Sequence, residues 1–102
     1  MTDIEINKAL ALAIGWRSDQ IIEYEGQSYI GLPVVFNGPG IKLFDYRFTS
    51  VIWPIAERYN AFPNNICPDW ECLRYIEAWG WVRYTADTAA KAVAIAVIGR
   101  KP

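Results

Sequence analysis

The segment of residues 89–98 places the strongest constraint on what this chain can fold into. Lys91 is its only charged residue, and every other position is alanine, valine or isoleucine. The segment predicts a helix that is capped by Thr85 or Asp87 and ended by Gly99. A helix that is apolar on every side is normally buried on every side. We therefore expect one face to pack on a sheet and the other on a second subunit or another helix, with full burial between the sheet and the first helix as the alternative.

The length of 102 residues is close to the commonest size of a protein domain. A single domain over residues 1–102 is therefore expected. Apolar residues make up 53% of the chain and charged residues 21%. This composition supplies enough apolar material for a packed core and argues against a disordered chain.

Residues 3–14 predict the first helix. Thr2 or Asp3 can cap its first turn, and Gly15 supplies a residue that tolerates the left-handed conformation at its end. The apolar residues at helical spacing, which predict the buried face, are Ile6, Leu10, Ala13 and Ile14.

Strands are predicted after this helix. Residues 20–25 and 28–35 are rich in β-branched and aromatic residues and flank a turn that contains Gly26, so they predict a hairpin. Glycine and proline dominate residues 36–40, which predict a loop. Residues 41–48 predict a third strand.

A second helix is predicted over residues 49–60, with Thr49 or Ser50 as its cap. Pro54 lacks the amide proton that a helix interior needs, so either the regular helix begins at Pro54 or its first turn is irregular, and we favour a start at Pro54. A loop is expected from residue 61 to about residue 69.

Residues 71–85 predict a fourth extended stretch with a bend or break at Gly80. Alternation along this stretch places Trp79, Trp81 and Arg83 on one face and Val82 and Tyr84 on the other. The predicted fold class is α/β of the α+β kind: a small sandwich with a mostly antiparallel sheet of about four strands covered by about three helices.

Charge and residue types exclude several classes of function. Eleven acidic residues nearly balance ten basic ones, so the chain lacks the basic excess of a duplex-binding protein. It contains no histidine, which removes the usual general base and the Ser-His and Cys-His nucleophile pairs. No spaced carboxylate pattern such as a calcium loop is present. We therefore expect no catalytic residue, no metal site and no cofactor.

The sequence also predicts where the protein resides. No basic run followed by an apolar stretch stands near Met1, and the longest apolar stretch, residues 92–99, is far shorter than the ~20 residues that span a bilayer. A cytoplasmic protein, in the host cell, with no membrane partner is expected. In a reducing cytosol Cys67 and Cys72 are expected to be free thiols. Two cysteines without histidine supply only half of a structural zinc site.

Arginine stands beside or near aromatic residues at several places. The residues concerned are Trp16-Arg17, Asp45-Tyr46-Arg47, Trp53, Arg58-Tyr59, Trp70, Arg74-Tyr75 and the run Trp81 to Tyr84. Guanidinium groups pair with phosphates and ring faces stack on bases, which is the chemistry of a nucleotide-like ligand. The same residue types form hot spots between proteins and also pack in cores. All three interpretations stay open.

Several segments carry a resemblance to a known family. They are Phe44-Asp45-Tyr46, the block Val51 to Pro63 with its Trp-Pro and Glu-Arg-Tyr-Asn motifs, the segment Tyr84 to Ala94, and the first helix from Ile6 to Trp16. In these segments the chain resembles the phage ABA sandwich domains, small proteins of bacteriophages and prophages. The resemblance implies an α/β sandwich and a viral accessory role. It supplies no biochemical activity, so no catalytic residue is carried over.

The leading hypothesis is a non-enzymatic phage or prophage accessory protein that binds a small molecule, for example a nucleotide-derived one, at or near a subunit interface and sequesters a host defence signal. The charge partners in this hypothesis are Arg47, Arg58 and Arg83, and the stacking residues are Trp16, Tyr46, Trp53 and Tyr59. The alternative is a protein-interaction domain that masks a host or phage protein through its aromatic surface. A carboxylate-dependent metalloenzyme is a third, less favoured class.

Overall fold

The computed structural model describes residues 1–31 and 42–99. These residues form three α-helices and two three-stranded antiparallel sheets. The α+β class is therefore confirmed, whereas the strands are divided between two sheets instead of forming one sheet of about four strands. The chain divides into two compact units, Met1–Asp45 and Tyr46–Pro102. The loop predicted over residues 36–40 lies outside the described residues, and the single domain stays a prediction.

Helix α1 (Asp3–Ala13) begins with a capping box. Thr2 Oγ1 accepts a hydrogen bond from the Glu5 amide at 3.2 Å, and Glu5 Oε1 accepts one from the Thr2 amide at 3.1 Å. Both amides would otherwise lack a partner within the helix. Gly15 follows the helix at φ 111°, as the sequence predicts.

The buried face of α1 differs from the predicted one at the C-terminal end of the helix. The buried residues are Ile6, Asn7, Leu10 and Ala11. Ile6 and Leu10 were predicted, but Ala13 is exposed and Ile14 is half-buried. Ile14 lies at the C-cap, where the backbone has left helical geometry, so the regular spacing no longer determines the direction of its side chain.

Strands β1 (Ile21–Tyr24) and β2 (Gln27–Ile30) form the predicted hairpin, after one turn of 3-10 helix at Ser18–Gln20. Residues 32–35 of the predicted second strand lie outside the described residues. Its two turn residues, Glu25 and Gly26, have φ 50° and 76°, the positive values that the tight two-residue turn of a twisted hairpin needs. Strand β3 (Lys42–Leu43) pairs with β2. Of the predicted third strand, residues 44–48 do not form a strand, and residue 41 lies outside the described residues. Helix α1 packs on β2.

Helix α2 (Thr49–Tyr59) begins before Pro54, so the prediction that the regular helix starts at Pro54 is wrong. Proline removes the hydrogen bond that the Ser50 carbonyl would accept, and Ser50 is exposed, so water can supply the donor. Phe48 is the N-cap, and no side chain caps this end. The helix ends at Asn60, which adopts the left-handed conformation with φ 52°.

The second sheet has the order β4 (Pro63–Asn65), β5 (Trp70–Ile76), β6 (Gly80–Ala86). The loop predicted over 61–69 therefore contains a short strand that pairs with the beginning of β5. The predicted break at Gly80 is a hairpin turn that separates β5 from β6. The predicted alternation holds on β6, where Trp81 is exposed and Tyr84 is buried.

Helix α3 (Ala89–Ile98) packs on all three strands of this sheet and on α2. Its N-cap is Thr88, whose Oγ1 accepts a hydrogen bond from the Lys91 amide at 3.2 Å, so Thr85 and Asp87 are not the cap. Gly99 ends it at φ 71°, as predicted. Within the described part of the chain, no helix has the length and apolar character to cross a membrane.

Every residue of α3 is buried or half-buried in a single copy of the chain. The apolar character of α3 is thus accounted for without a second subunit, which removes the argument for self-association that the sequence offered. Self-association stays a prediction. The apolar core of the second unit is built by residues of α2, α3 and the sheet, among them Ile52, Ile55, Cys72, Tyr84, Val93 and Val97.

The two cysteines are free thiols, as predicted, with Cys67 exposed and Cys72 buried. Burial raises the pKa of Cys72 from 9.0 to about 11, although the nearby Arg74 charge lowers it. Because the Cys72 thiol ionises less readily in the folded state than in the unfolded state, it contributes fully to the free energy of unfolding at pH values below its unfolded pKa. That contribution is lost as the pH rises through the folded pKa.

We expect the free energy of unfolding to decrease between about pH 9 and about 11, and Cys72→Ala to make this decrease smaller. Urea unfolding of both proteins at a series of alkaline pH values measures the difference. Cys67→Ala is the control, since that thiol is exposed. Burial also raises the pKa of Tyr84, so part of the alkaline decrease in the free energy of unfolding should remain in every variant. The same alkaline slope in wild type and Cys72→Ala would contradict the prediction.

Candidate functional site

The second sheet has one face packed on α3 and one face that carries exposed aromatic side chains. Tyr75 on β5 lies directly opposite Trp81 on β6, and Leu73 lies opposite Arg83. Since successive side chains of a strand point to opposite faces, these four side chains share the exposed face. Trp81 is 72% exposed and Tyr75 is 59% exposed. Their rings contact each other edge to face, with centroids 5.7 Å apart.

A pocket of about 310 Å³ lies between this hairpin and the C-terminal end of α2. Strand β4 pairs with β5 only along residues 70–72, so the next part of β5 borders the end of α2 instead of a strand. The pocket is lined by Tyr59, Asn60, Leu73, Arg74, Tyr75 and Trp81. Its volume is at the lower end of the range for small-molecule sites, about 300 to 1,000 Å³.

Arg74 is the cation of this pocket, and its guanidinium is held by the end of α3. Nη1 donates hydrogen bonds to the carbonyl oxygens of Ala96 at 2.8 Å and Val97 at 2.6 Å. These carbonyls belong to the helix end that carries partial negative charge. The guanidinium carbon also lies 5.9 Å from the centre of the Tyr59 ring. Arg74 is therefore fixed in position on two sides.

The charge of Arg74 has no carboxylate partner among residues 1–31 and 42–99. Burial raises the pKa values of Cys72 and Tyr84, and the positive charge of Arg74 partly offsets this increase. The charge of Arg74 therefore also acts on residues inside the second unit. A part-buried cation without a nearby acid favours an anionic group in the adjoining pocket.

Of the predicted ligand-binding residues, Tyr59 lines this pocket. Arg58 accompanies it, with the guanidinium carbon 5.5 Å from the centre of the Tyr59 ring. Tyr46 is only 3% exposed, so its ring is covered by protein. Trp53 lies on α2 and is 48% exposed, and its ring contacts that of Phe62 at 5.8 Å between centroids.

The remaining predicted residues lie elsewhere. Arg83 is on the exposed face of β6, where its Nε is 2.5 Å from a carboxylate oxygen of Glu71. Arg47 is exposed and precedes α2. Trp16 is half-buried and belongs to the unit Met1–Asp45. The second unit thus distributes its predicted residues over several places instead of one site.

Sequence reasoning missed Arg74, Tyr75 and Trp81 as site residues, although all three belong to the aromatic and arginine cluster that it identified. The signal that could have found them is the hairpin register. If the break before Gly80 is taken as a turn between antiparallel strands, Tyr75 and Trp81 become cross-strand neighbours on the same face.

The pocket contains groups that can bind a small molecule. Across residues 1–31 and 42–99, no three Cys, Asp or Glu side chains are grouped to hold a metal ion. Three aromatic residues, a fixed cation and Asn60 line the pocket. Comparison with known proteins finds no matching family model, no matching curated protein and no matching solved structure. The resemblance to the phage ABA sandwich domains stays a prediction.

Proposed function

We propose that this chain is a non-enzymatic binding protein whose pocket between α2 and the β5–β6 hairpin holds a flat, anionic small molecule, for example a nucleotide-derived one. One observation carries the proposal: three aromatic residues, Tyr59, Tyr75 and Trp81, line a single pocket together with Arg74. A concave site with aromatic walls and one fixed charge is typical of small-ligand binding.

The chemistry of the pocket matches such a ligand in two ways. Stacking of a base on an aromatic side chain contributes about 1 to 3 kcal/mol and tolerates any base, because every base has a π face. A guanidinium donates parallel hydrogen bonds to carboxylate or phosphate oxygens. The pocket volume of about 310 Å³ accommodates one ring system with its attached group, which favours a mononucleotide-sized ligand.

The biological role that we attach to this activity is that of a phage or prophage accessory protein which sequesters a host defence signal in the cytoplasm. The resemblance of several sequence segments to phage ABA sandwich domains supports the viral setting. The lack of histidine supports sequestration without conversion, because the commonest general base is missing from the whole chain. The proposal places the ligand in a pocket of a single chain and invokes no residue of a second subunit.

Calorimetric titration with a panel of linear and cyclic nucleotides tests the proposal. We expect saturable binding of at least one member, with about one ligand per pocket, and a change in tryptophan fluorescence that is smaller in Trp81→Phe. Sedimentation of the same samples gives the mass in solution and decides whether the 11.6 kDa chain associates. Absence of heat with every member of the panel would refute the proposed function.

A second function is favoured by one specific observation. Leu73, Tyr75 and Trp81 are exposed side by side on a sheet face, an arrangement that also suits a protein partner. In this case the domain would mask a host or phage protein. Purification from host lysate discriminates the two functions: a stoichiometric protein partner favours masking, whereas a co-purifying small molecule favours sequestration. Tight binding of Mg²⁺ or Mn²⁺ would instead favour the carboxylate-dependent enzyme.

A further inference from the structure

We infer that the C-terminal turn of α3 orients Arg74 toward an oxyanion of the ligand, and that Gly99 is thereby a specificity-determining residue of the pocket. The inference rests on the proposed function and adds two things to it. It names the ligand group that Arg74 binds, a carboxylate or phosphate with two oxygens accepting in parallel. It also assigns a role to Gly99, which does not line the pocket itself.

The first step is the count of hydrogen-bond donors on Arg74. A guanidinium has five N–H groups in a fixed plane. Both carbonyl contacts to α3, from Ala96 and Val97, are made by Nη1. The N–H groups on Nε and Nη2 have no hydrogen-bond acceptor among the described residues, although Arg74 is part-buried and lines the pocket. These N–H groups are free to donate to a ligand, and an oxyanion with two oxygens can accept from them in parallel.

The second step is the close approach at Gly99. A Cβ atom added to Gly99 would lie 2.9 Å from Nη1 of Arg74, which is closer than real Cβ contacts allow. Gly99 also has φ 71°, a left-handed conformation that disfavours residues with a side chain. The bare Cα therefore leaves room for the guanidinium beside the last carbonyls of α3. Any side chain here must displace Arg74 from the position where both carbonyls hold it.

The consequence is selectivity for the charge of the ligand. The rings of Tyr59, Tyr75 and Trp81 contact the flat part of a ligand whether or not it carries a phosphate. Arg74 contributes its paired hydrogen bonds only when an oxyanion is present, and hydrogen bonds to charged groups contribute about 1.5 to 3 kcal/mol. We expect the affinity of wild type for adenosine 5′-monophosphate to exceed its affinity for adenosine by a factor of about 10 or more.

Gly99→Ala should reduce this preference several-fold while leaving the affinity for adenosine unchanged, because it moves the guanidinium and not the rings. Arg74→Lys keeps the charge but cannot form the planar fork, so it should reduce the preference in the same way. Gly26→Ala is the matched control. Gly26 has a similar φ of 76° with nothing within 4 Å of the added Cβ, so it reproduces the backbone cost without contacting Arg74. Circular dichroism verifies that each variant is folded.

Calorimetry with both compounds separates the failure of this inference from that of the proposed function. Equal binding of adenosine and its monophosphate by wild type overturns the inference and leaves the proposed pocket standing. An unchanged preference in folded Gly99→Ala, or an equal loss for both compounds, also overturns it, because Gly99 would then have only a structural role. If wild type binds neither compound nor any other nucleotide of the panel, the proposed function and the inference fail together.

Discussion

Trp81→Ala is expected to weaken ligand binding by roughly 10- to 100-fold, since stacking on one aromatic ring contributes about 1 to 3 kcal/mol. Trp81 forms one wall of the pocket and contacts Tyr75, so its removal takes away a stacking surface and loosens a second one. The side chain is 72% exposed, which means that the fold loses little when it is removed. Calorimetric titration of the variant with the nucleotide that wild type binds measures the effect.

The matched control for this experiment is Trp53→Ala. Trp53 is also partly exposed, and its ring contacts Phe62 on a different part of the same unit. Removing it should leave the affinity unchanged within about twofold. If Trp53→Ala abolishes binding while Trp81→Ala does not, the ligand occupies the surface that the sequence suggested instead of the pocket described here.

Leu10→Ala is expected to lower the free energy of unfolding by about 3 kcal/mol, in the range measured when a buried leucine is truncated and a cavity remains. Leu10 is fully buried on α1, as are Ile6, one turn earlier, and Ala11, the next residue. Urea unfolding followed by circular dichroism measures the loss. Few single substitutions in a chain of this size should cost more.

Leu12→Ala provides the control on the same helix. Leu12 lies two residues after Leu10 and is 44% exposed, so truncating its side chain should lower the free energy of unfolding by less than about 1 kcal/mol. Both variants remove the same atoms and change helix propensity equally, so the difference between them isolates burial. Similar losses for the two variants would show that the buried face of α1 is not the one described.

Features that depend on residues close in sequence could be predicted well. Both ends of α1 and the C-terminal end of α3 follow from Thr2, Gly15 and Gly99, and the turn of the first hairpin follows from Gly26. Each of these residues acts on backbone groups within a few positions of itself, so the local sequence contains the whole signal.

Features that depend on pairing between distant residues could not be predicted in the same way. Strand β4 contains proline and two asparagines, a composition typical of loops, and it exists because β5 offers it an edge to pair with. The start of α2 before Pro54 depends on the exposure of Ser50, which the sequence pattern does not contain. The division of the strands between two sheets is likewise a matter of tertiary pairing.

The candidate site shows the same distinction. Adjacent residues identified Tyr59 and its neighbour Arg58 as aromatic and cationic partners, and the structure places them in ring contact. The position of Arg74 depends on carbonyl groups more than 20 residues away, at the end of α3. Composition could indicate that arginine and aromatic rings matter in this chain, but only the register of β5 and β6 brings the relevant ones together.

The contact between Arg74 and the last carbonyls of α3 links recognition to the integrity of a helix end. Helix termini open more readily than helix centres, and such local opening precedes global unfolding. When the final turn of α3 frays, the guanidinium loses both main-chain acceptors at once and regains the freedom of a long side chain. Warming the protein should therefore erode its discrimination between charged and neutral ligands at temperatures where the rest of the molecule is still native.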